Sequence, residues 1–152
     1  MSALASLRRA TSGDLDALVA LQHAAYAGNR VKLGVEPIPL QADYAQVLRD
    51  WEVWLADGPD GLAGALILEL RPDDLLIWSV AVSPTAQKSG VGNRLLAAAE
   101  DRARQIGRPA VRLYTGQKLT HNVAWYSRHG YRVESVETMP DRAIVHMIKT
   151  DF

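Results

Sequence analysis

The chain has 152 residues, 48% of them hydrophobic, which is enough to bury a substantial core at this length. Its 17 basic and 17 acidic side chains cancel, so charge gives no reason to expect a nucleic acid or an anionic membrane as partner. Cysteine is absent, which excludes disulfides, thiolate metal sites and a cysteine nucleophile. No apolar stretch approaches the roughly 20 residues of a membrane helix, and residues 1–9 lack a signal-like run. The expectation is one cytoplasmic domain covering residues 1–152.

Residues 4–9 read as a short first strand. Thr11 then has the character of a helix cap, with Asp14 in the first turn. Leu15, Leu18, Val19, Gln22 and Tyr26 follow at helical spacing and give a mainly apolar face that fades near Gly28-Asn29. Pro37 and Pro39 forbid regular helix in residues 30–40, and a second helix is expected over 41–49. Residues 51–56 alternate and are rich in aromatics, the pattern of a strand.

Gly58-Pro59-Asp60-Gly61 is a turn cluster between this strand and another over 62–70. Residues 75–82 are nearly all apolar, which suits a strand covered on both faces. A loop then leads into a helix with Leu95, Ala99, Ala103 and Ile106 on one face, stopped by Gly107 and Pro109. A strand over 110–114, a helix over 120–129 ended by Gly130, and a hairpin of strands over 131–137 and 142–149 complete the order. Early helices, an antiparallel run, one strand–helix–strand unit and a final hairpin predict an α+β (mixed α/β) fold.

The chemically informative stretch is the loop Ser83-Pro84-Thr85-Ala86-Gln87-Lys88-Ser89-Gly90-Val91-Gly92 between strand and helix. Small residues let backbone N–H groups converge, and the helix start adds free N–H groups and a positive dipole end. Such a turn suits a phosphate or diphosphate, with Lys88 as a nearby charge. By itself a Gly-x-Gly before a helix is equally compatible with a structural turn. The Gly-Lys-Ser/Thr of a nucleoside-triphosphate loop and the third glycine of the dinucleotide fingerprint are both missing.

Two motifs in order carry a family resemblance. Val80-Ala81-Val82-Ser83-Pro84 followed by Gln87, Gly90 and Gly92 resembles the Gln/Arg-x-x-Gly-x-Gly/Ala motif of the GNAT superfamily of N-acetyltransferases. Some thirty residues on, Asn122, Ala124, Tyr126, Gly130 and Tyr131 resemble the family's Asn…Ala…Tyr…Gly-Phe/Tyr block, in a compressed form. Residues 7–11 with Asp14 are a weaker third match.

The resemblance implies a central, mostly antiparallel twisted sheet of about six or seven strands, splayed between the fourth and fifth, with about four flanking helices. It implies an enzyme that moves an acetyl group from acetyl-CoA to a primary amine, with coenzyme A in the splay and no metal. Val80, Ala81 and Val82 would meet the pantetheine arm like an added strand. Gln87, Lys88, Ser89, Gly90, Val91 and Gly92 would receive the diphosphate, and Asn122 and Tyr126 would also contact the cofactor. Tyr126 occupies the position of the acid that protonates the leaving thiolate. The strand 75–80 lacks the carboxylate many relatives use as base, so Glu69 is the first candidate, with His23, His121 and Ser79 behind it.

The resemblance also implies an acceptor site in residues 26–44, with 139–142 as a further part, where Tyr26 and Tyr44 are the candidate acceptor-binding residues. Trp51 and Trp54 could join them or belong to the core, and Glu36 and Asp43 could attract an amine or be solvated loop charges. A homodimer through the hairpin 131–149 is expected by analogy. Two other readings stay open: a noncatalytic acyl-CoA-binding regulatory domain, and a different nucleotide-binding module.

Overall fold

A computed structural model describes residues 2–152. The predicted chain order holds, and seven strands form one sheet in the order β1-β2-β3-β4-β5-β7-β6. The strands are β1 (Arg8–Arg9), β2 (Glu52–Gly58), β3 (Gly61–Leu70), β4 (Leu75–Val82), β5 (Val111–Gly116), β6 (Arg132–Thr138) and β7 (Ala143–Lys149). The helices are α1 (Leu15–Tyr26), α2 (Asn29–Leu33), α3 (Tyr44–Asp50), α4 (Val91–Gln105) and α5 (Thr120–Arg128). All neighbouring pairs are antiparallel except β4 and β5.

The start of the chain corrects the expectation of a strand over 4–9. Leu4–Ser6 form one turn of 3-10 helix, and β1 keeps two residues, paired with Leu55 and Trp54. The reason is burial: Leu4 and Leu7, three apart, both go into the core beside α4, and Asp101 of α4 accepts the Leu4 N–H at 3.0 Å. The helical turn brings the two leucines to one side, which an extended strand could not do. Thr11 stands at the expected cap position ahead of α1, and Asp14 accepts its N–H at 2.8 Å in a capping box. The short α2 between Gly28 and Gly34 is an element not anticipated in the proline-rich stretch.

Helices cover the two faces unequally. On one face α4 presents Leu95, Leu96, Ala98, Ala99 and Ala103 to Leu66, Leu68, Leu75, Ile77, Val111, Leu113 and Met147 of the sheet. On the other face α1 and α3 cover Val53, Leu55, Ala65, Ile67 and Ala81 with Leu18, Leu21, Tyr44 and Val47. Gly64 in β3 permits the close approach of α4: a Cβ there would lie 2.7 Å from Val91 Cγ1 and 3.0 Å from the Ala81 carbonyl oxygen. That approach aims the first turn of α4 at the end of β4.

β4 is the centre of the sheet and lies under helices from both faces, as its apolar run predicts. It pairs with β5 over Leu75–Ile77 and Val111–Leu113, and the pairing goes no further. The opposite edge of β4 stays with β3 up to Val82. The register there skips Trp78, since Ile67 faces Ser79 and Leu68 faces Ile77. An extra residue of this kind bends and twists a strand locally. The bulge falls one residue after β4 leaves β5, so the two strands diverge from that point.

Candidate active site

The divergence of β4 and β5 opens a cleft of about 970 Å³ that passes between the two faces of the sheet. Its walls are the end of β4 with the loop and first turn of α4, the end of β5, one side of α5, and the segment from α1 to Pro39. Ser83 donates its N–H to Ala63 of β3. Backbone groups alternate sides along an antiparallel strand, so Ala81 faces β3 while Val80 and Val82 turn their N–H and C=O toward the cleft. The side chain of Tyr26 confirms the geometry, donating to the Val80 carbonyl at 3.1 Å from within the cleft wall.

The α4 start contrasts with that of α3. Asp43 caps α3 by accepting from the N–H groups of Ala45 and Gln46. No side chain caps α4, whose Ncap is Gly90, so the first-turn N–H groups face the end of the cleft without an internal acceptor. Lys88 has φ 69° and Gly90 has φ 85°. Left-handed residues in a short loop turn neighbouring N–H groups to one side and form an anion-binding concavity. Gly92 has a packing role: a Cβ there would lie 3.2 Å from the indole of Trp125, so its absence lets α5 close against α4.

Of the residues expected to hold a cofactor, Val80, Val82, Gln87, Lys88, Gly90, Gly92, Asn122 and Tyr126 line the cleft. Ala81 and Val91 are buried behind it, and Ser89 bonds back to the Ala86 carbonyl. Tyr126 is largely buried on α5, 5.0 Å from the Trp125 ring and edge-on to Tyr131. Burial pushes its phenol well above the ordinary tyrosine range, so it keeps its proton at neutral pH.

The two candidate acceptor tyrosines separate. Tyr26 lines the cleft and Tyr44 does not: Tyr44 is buried edge-on to Trp78, 6.2 Å between centroids. Gln22, fully buried, joins them by donating to Tyr44 Oη at 2.9 Å and to Ser79 Oγ at 3.0 Å. Ser79 in turn lies 2.8 Å from the Tyr26 hydroxyl. The donors run in one direction on each branch: Gln22 to Ser79 to Tyr26 to the Val80 carbonyl, and Gln22 to Tyr44 to the Pro39 carbonyl. Burial holds the Tyr26 phenol up at about 12. This chain pins the free half of β4 to α1 and to the loop at Pro39. Its one sequence signal is a glutamine on an otherwise apolar helix face.

Glu69 is not part of the cleft wall. Its register partner is Leu76, which places it on the α1 side of the sheet with Tyr114, and its charge reaches the Tyr114 phenol. Tyr114 and Trp78 both line the cleft. His121 lines the cleft; His23 lies on a shallow groove elsewhere, between α1 and the start of α3. Trp51 stacks on Trp78 at 5.1 Å and Trp54 donates to Glu52, so neither faces the cleft. Glu36 pairs with Arg30 at 2.7 Å. Sequence reading did not single out Trp78, Gln22, Tyr114 or Trp125, which shape or support the cleft.

A mixed sheet split beside an uncapped helix start, with a protonated tyrosine across the gap, is the architecture of a GNAT-type acyltransferase domain. Residues 49–133, more than half of the chain, match the family described as Acetyltransferase (GNAT) domain, and the chain belongs to that family. It is 29% identical over 93 residues to an uncharacterized N-acetyltransferase, YvbK, of Bacillus subtilis (strain 168), a match that spans 60% of each chain.

Among solved structures it resembles the PaiA N-acetyltransferase of Thermoplasma acidophilum in complex with coenzyme A, with TM-score 0.78 at 17% identity over 95% of this chain and 98% of that one. It also resembles a GNAT family acetyltransferase of Elizabethkingia anophelis with acetyl-CoA bound, with TM-score 0.68 at 18% identity over 95% and 96%. At these identities the structural likeness establishes the fold. Among the described residues no helix is long and apolar enough to cross a membrane.

Proposed function

We propose that this protein transfers an acetyl group from acetyl-CoA to a primary amine by direct attack of the amine on the thioester. The observation that carries the reading is the meeting of a free strand edge, an uncapped helix start and Tyr126 on one cleft. The family membership and the ligands of the two similar structures support it.

The residues present fit the donor. The N–H groups from Gln87 to Gly92 suit the diphosphate, with Lys88 beside them and Asn122 on the facing helix. The N–H and C=O groups of Val80 and Val82 suit the amides of the pantetheine arm, paired as an added strand would be. Bound acetyl-CoA supplies the electrophilic carbonyl carbon. A backbone N–H of the free half of β4 then stabilises the oxyanion that develops there. Tyr126, held protonated by burial, gives its proton to the departing sulfur.

The amine must lose a proton before or during attack, because an alkylammonium titrating near 10.4 has no lone pair to offer at neutral pH. Glu69 is the first candidate to receive that proton, through Tyr114 or an ordered water rather than by direct contact. General-base assistance of this kind contributes about 10²–10⁴-fold. The hairpin of β6 and β7 is the proposed homodimer surface, since every residue of β6 is exposed on the outer edge of the sheet.

The test is release of free thiol from acetyl-CoA in the presence of a panel of amines. Amine-dependent release, with Glu69→Gln lowering the rate and flattening its rise with pH, is the expected result. Glu69→Gln with an unchanged profile removes Glu69 as base. A second reading, a noncatalytic acyl-CoA-binding domain, draws on one observation: among the described residues, none of those lining the cleft is Asp or Glu. Tight binding of acetyl-CoA without release of thiol by any amine would favour it.

A further inference from the structure

The cleft runs through the sheet, so its two mouths can be treated separately. The mouth on the α4 and α5 side carries the uncapped loop, and its cations Lys88 and Arg128 would stand beside the polyanionic donor proposed above. The mouth on the α1 side is built differently. There α2 lies across the gap, with Leu33 packed on Gly116, where a Cβ would lie 2.6 Å from Leu33 Cδ2. Gly116 is the register partner of Ile144, and Gln117 donates its N–H to the Ala143 carbonyl. These contacts bring Lys32, the neighbour of Leu33, to the same rim as Arg142. Lys118, 3.5 Å from the Leu33 carbonyl oxygen, stands at that rim as well.

Arg142 is turned inward. Its side chain is 13% exposed, while that of its partner Asp141 is 53% exposed. Asp141 takes the Nε and Nη2 donors at 3.2 and 3.0 Å, which leaves Nη1 for a ligand. The two-point pair leaves Arg142 a directional donor toward the cleft, and Lys32, in no ion pair among the described residues, supplies free positive charge at the rim. Deeper in the same mouth the sign reverses. Tyr114 lines the wall, with the carboxylates of Glu69 and Glu137 within electrostatic reach of its hydroxyl. His146, whose ring centroid is 5.8 Å from that of Tyr114, bonds Glu137 at 2.9 Å.

We propose that the acceptor is an amine that also carries an anionic group, an amino-acid-like molecule whose ammonium enters toward Tyr114 while its anion meets Arg142 and Lys32 at the rim. The proposal rests on the acetyl-transfer reading above and narrows it. A polyamine or a polybasic antibiotic would place a second cation against Arg142 and Lys32, an arrangement that costs affinity. An alkylamine without an anion would leave the rim donors unpaired.

The experiment uses the full chain with short straight-chain amino acids, each compared with the alkylamine and the diamine of equal length. Taken as ω-amino acids with chains long enough to insulate the two ends, such series have similar amine basicities and differ in the distal group. The expected order in kcat/KM is amino acid, then alkylamine, then diamine. A charge-assisted contact of this kind corresponds to about tenfold between the first two. Raising the salt concentration should shrink the gap, and Arg142→Glu should reverse it in favour of the diamine. Coenzyme A binding by the variant shows that it is folded.

A preference for diamines in the unaltered protein, or an order indifferent to salt and to Arg142→Glu, would overturn the proposal. Failure of coenzyme A to bind would instead bring down the donor reading. The acceptor preference would then be read by calorimetric titration of the same compounds into the free protein.

Discussion

The two ends of β4 meet β5 in opposite ways. At its start, Leu75 to Ile77 pair with Val111 to Leu113, and the junction is clamped by charge. Asp74, 3% exposed, takes Arg71 at 2.6 Å through two donors and Arg112 at 2.8 Å, and Arg112 continues to Glu134 at 2.8 Å. At its far end, Val80 and Val82 have β3 on one side and the cleft on the other, with Tyr26 as the polar side chain that holds the edge. The same contrast separates the helix starts, since α3 is capped by Asp43 and α4 is bare. At the closed end the strand edge and its charges are paired, and at the open end a strand edge and a bare helix start remain free for a ligand. Changes at the closed end should therefore weaken the fold, and changes at the open end should weaken function.

The largest separation should come from Tyr126→Phe. Loss of the proton donor lowers kcat by about 10²-fold, while coenzyme A affinity and thermal midpoint stay close to those of the parent. Single-turnover kinetics and calorimetry read the two quantities independently. Asp74→Asn is the reciprocal change. Removing the shared carboxylate leaves Arg71 and Arg112 without their partner and should lower unfolding stability by about 2–3 kcal/mol in a urea titration. Coenzyme A should still bind the folded fraction with parental affinity.

The closed end also predicts a pH dependence. The guanidinium of Arg71 holds the Asp74 carboxyl below the usual carboxylate range. A depressed folded pKa means that the stabilisation is complete above the unfolded value of about 3.9. It is lost as pH falls through the lower, folded value. Stability of the parent should therefore decline on acidification below about pH 4 more steeply than that of Asp74→Asn, read from urea midpoints across that range. Equal slopes would show that Asp74 is not the linked group.

At the open end, Gly90→Val places a β-branched residue at φ 85°. The strain is about 1–2 kcal/mol. The surroundings are open, with nothing within 4 Å of the added Cβ, so the exposed loop can relax and lose its shape. The cost then falls on coenzyme A, whose affinity should drop about tenfold. The smallest effect is expected of Tyr26→Phe, which removes one donor to the Val80 carbonyl and one partner of Ser79. A loss of about 1 kcal/mol in stability and a few-fold loss in kcat/KM are predicted.

The open end was legible in the sequence to an unequal degree. The apolar run of β4, the glycines of the loop and the amphipathic α4 state their local structure directly, and Gln87, Gly90, Gly92, Asn122 and Tyr126 stand on the cleft where motif spacing places them. Aromatic identity did not distinguish Tyr26 from Tyr44, because both lie near one glutamine and their separation depends on which hydroxyl points through the sheet. The bulge at Trp78 is a difference in register between two strands and has no mark in either strand alone. Leu4 and Leu7 look like alternating strand residues until α4 is there to receive both. Glu69 shows the same limit: its strand was read correctly, but its distance from the cleft follows from the sheet's partners.

A crystal structure of the protein with acetyl-CoA tests the central claim most directly. The account predicts the diphosphate on the N–H groups of residues 87–92, the pantetheine amides paired with Val80 and Val82, and the sulfur beside the Tyr126 hydroxyl. A donor bound with its diphosphate away from that loop, or lying outside the gap between β4 and β5, would contradict it.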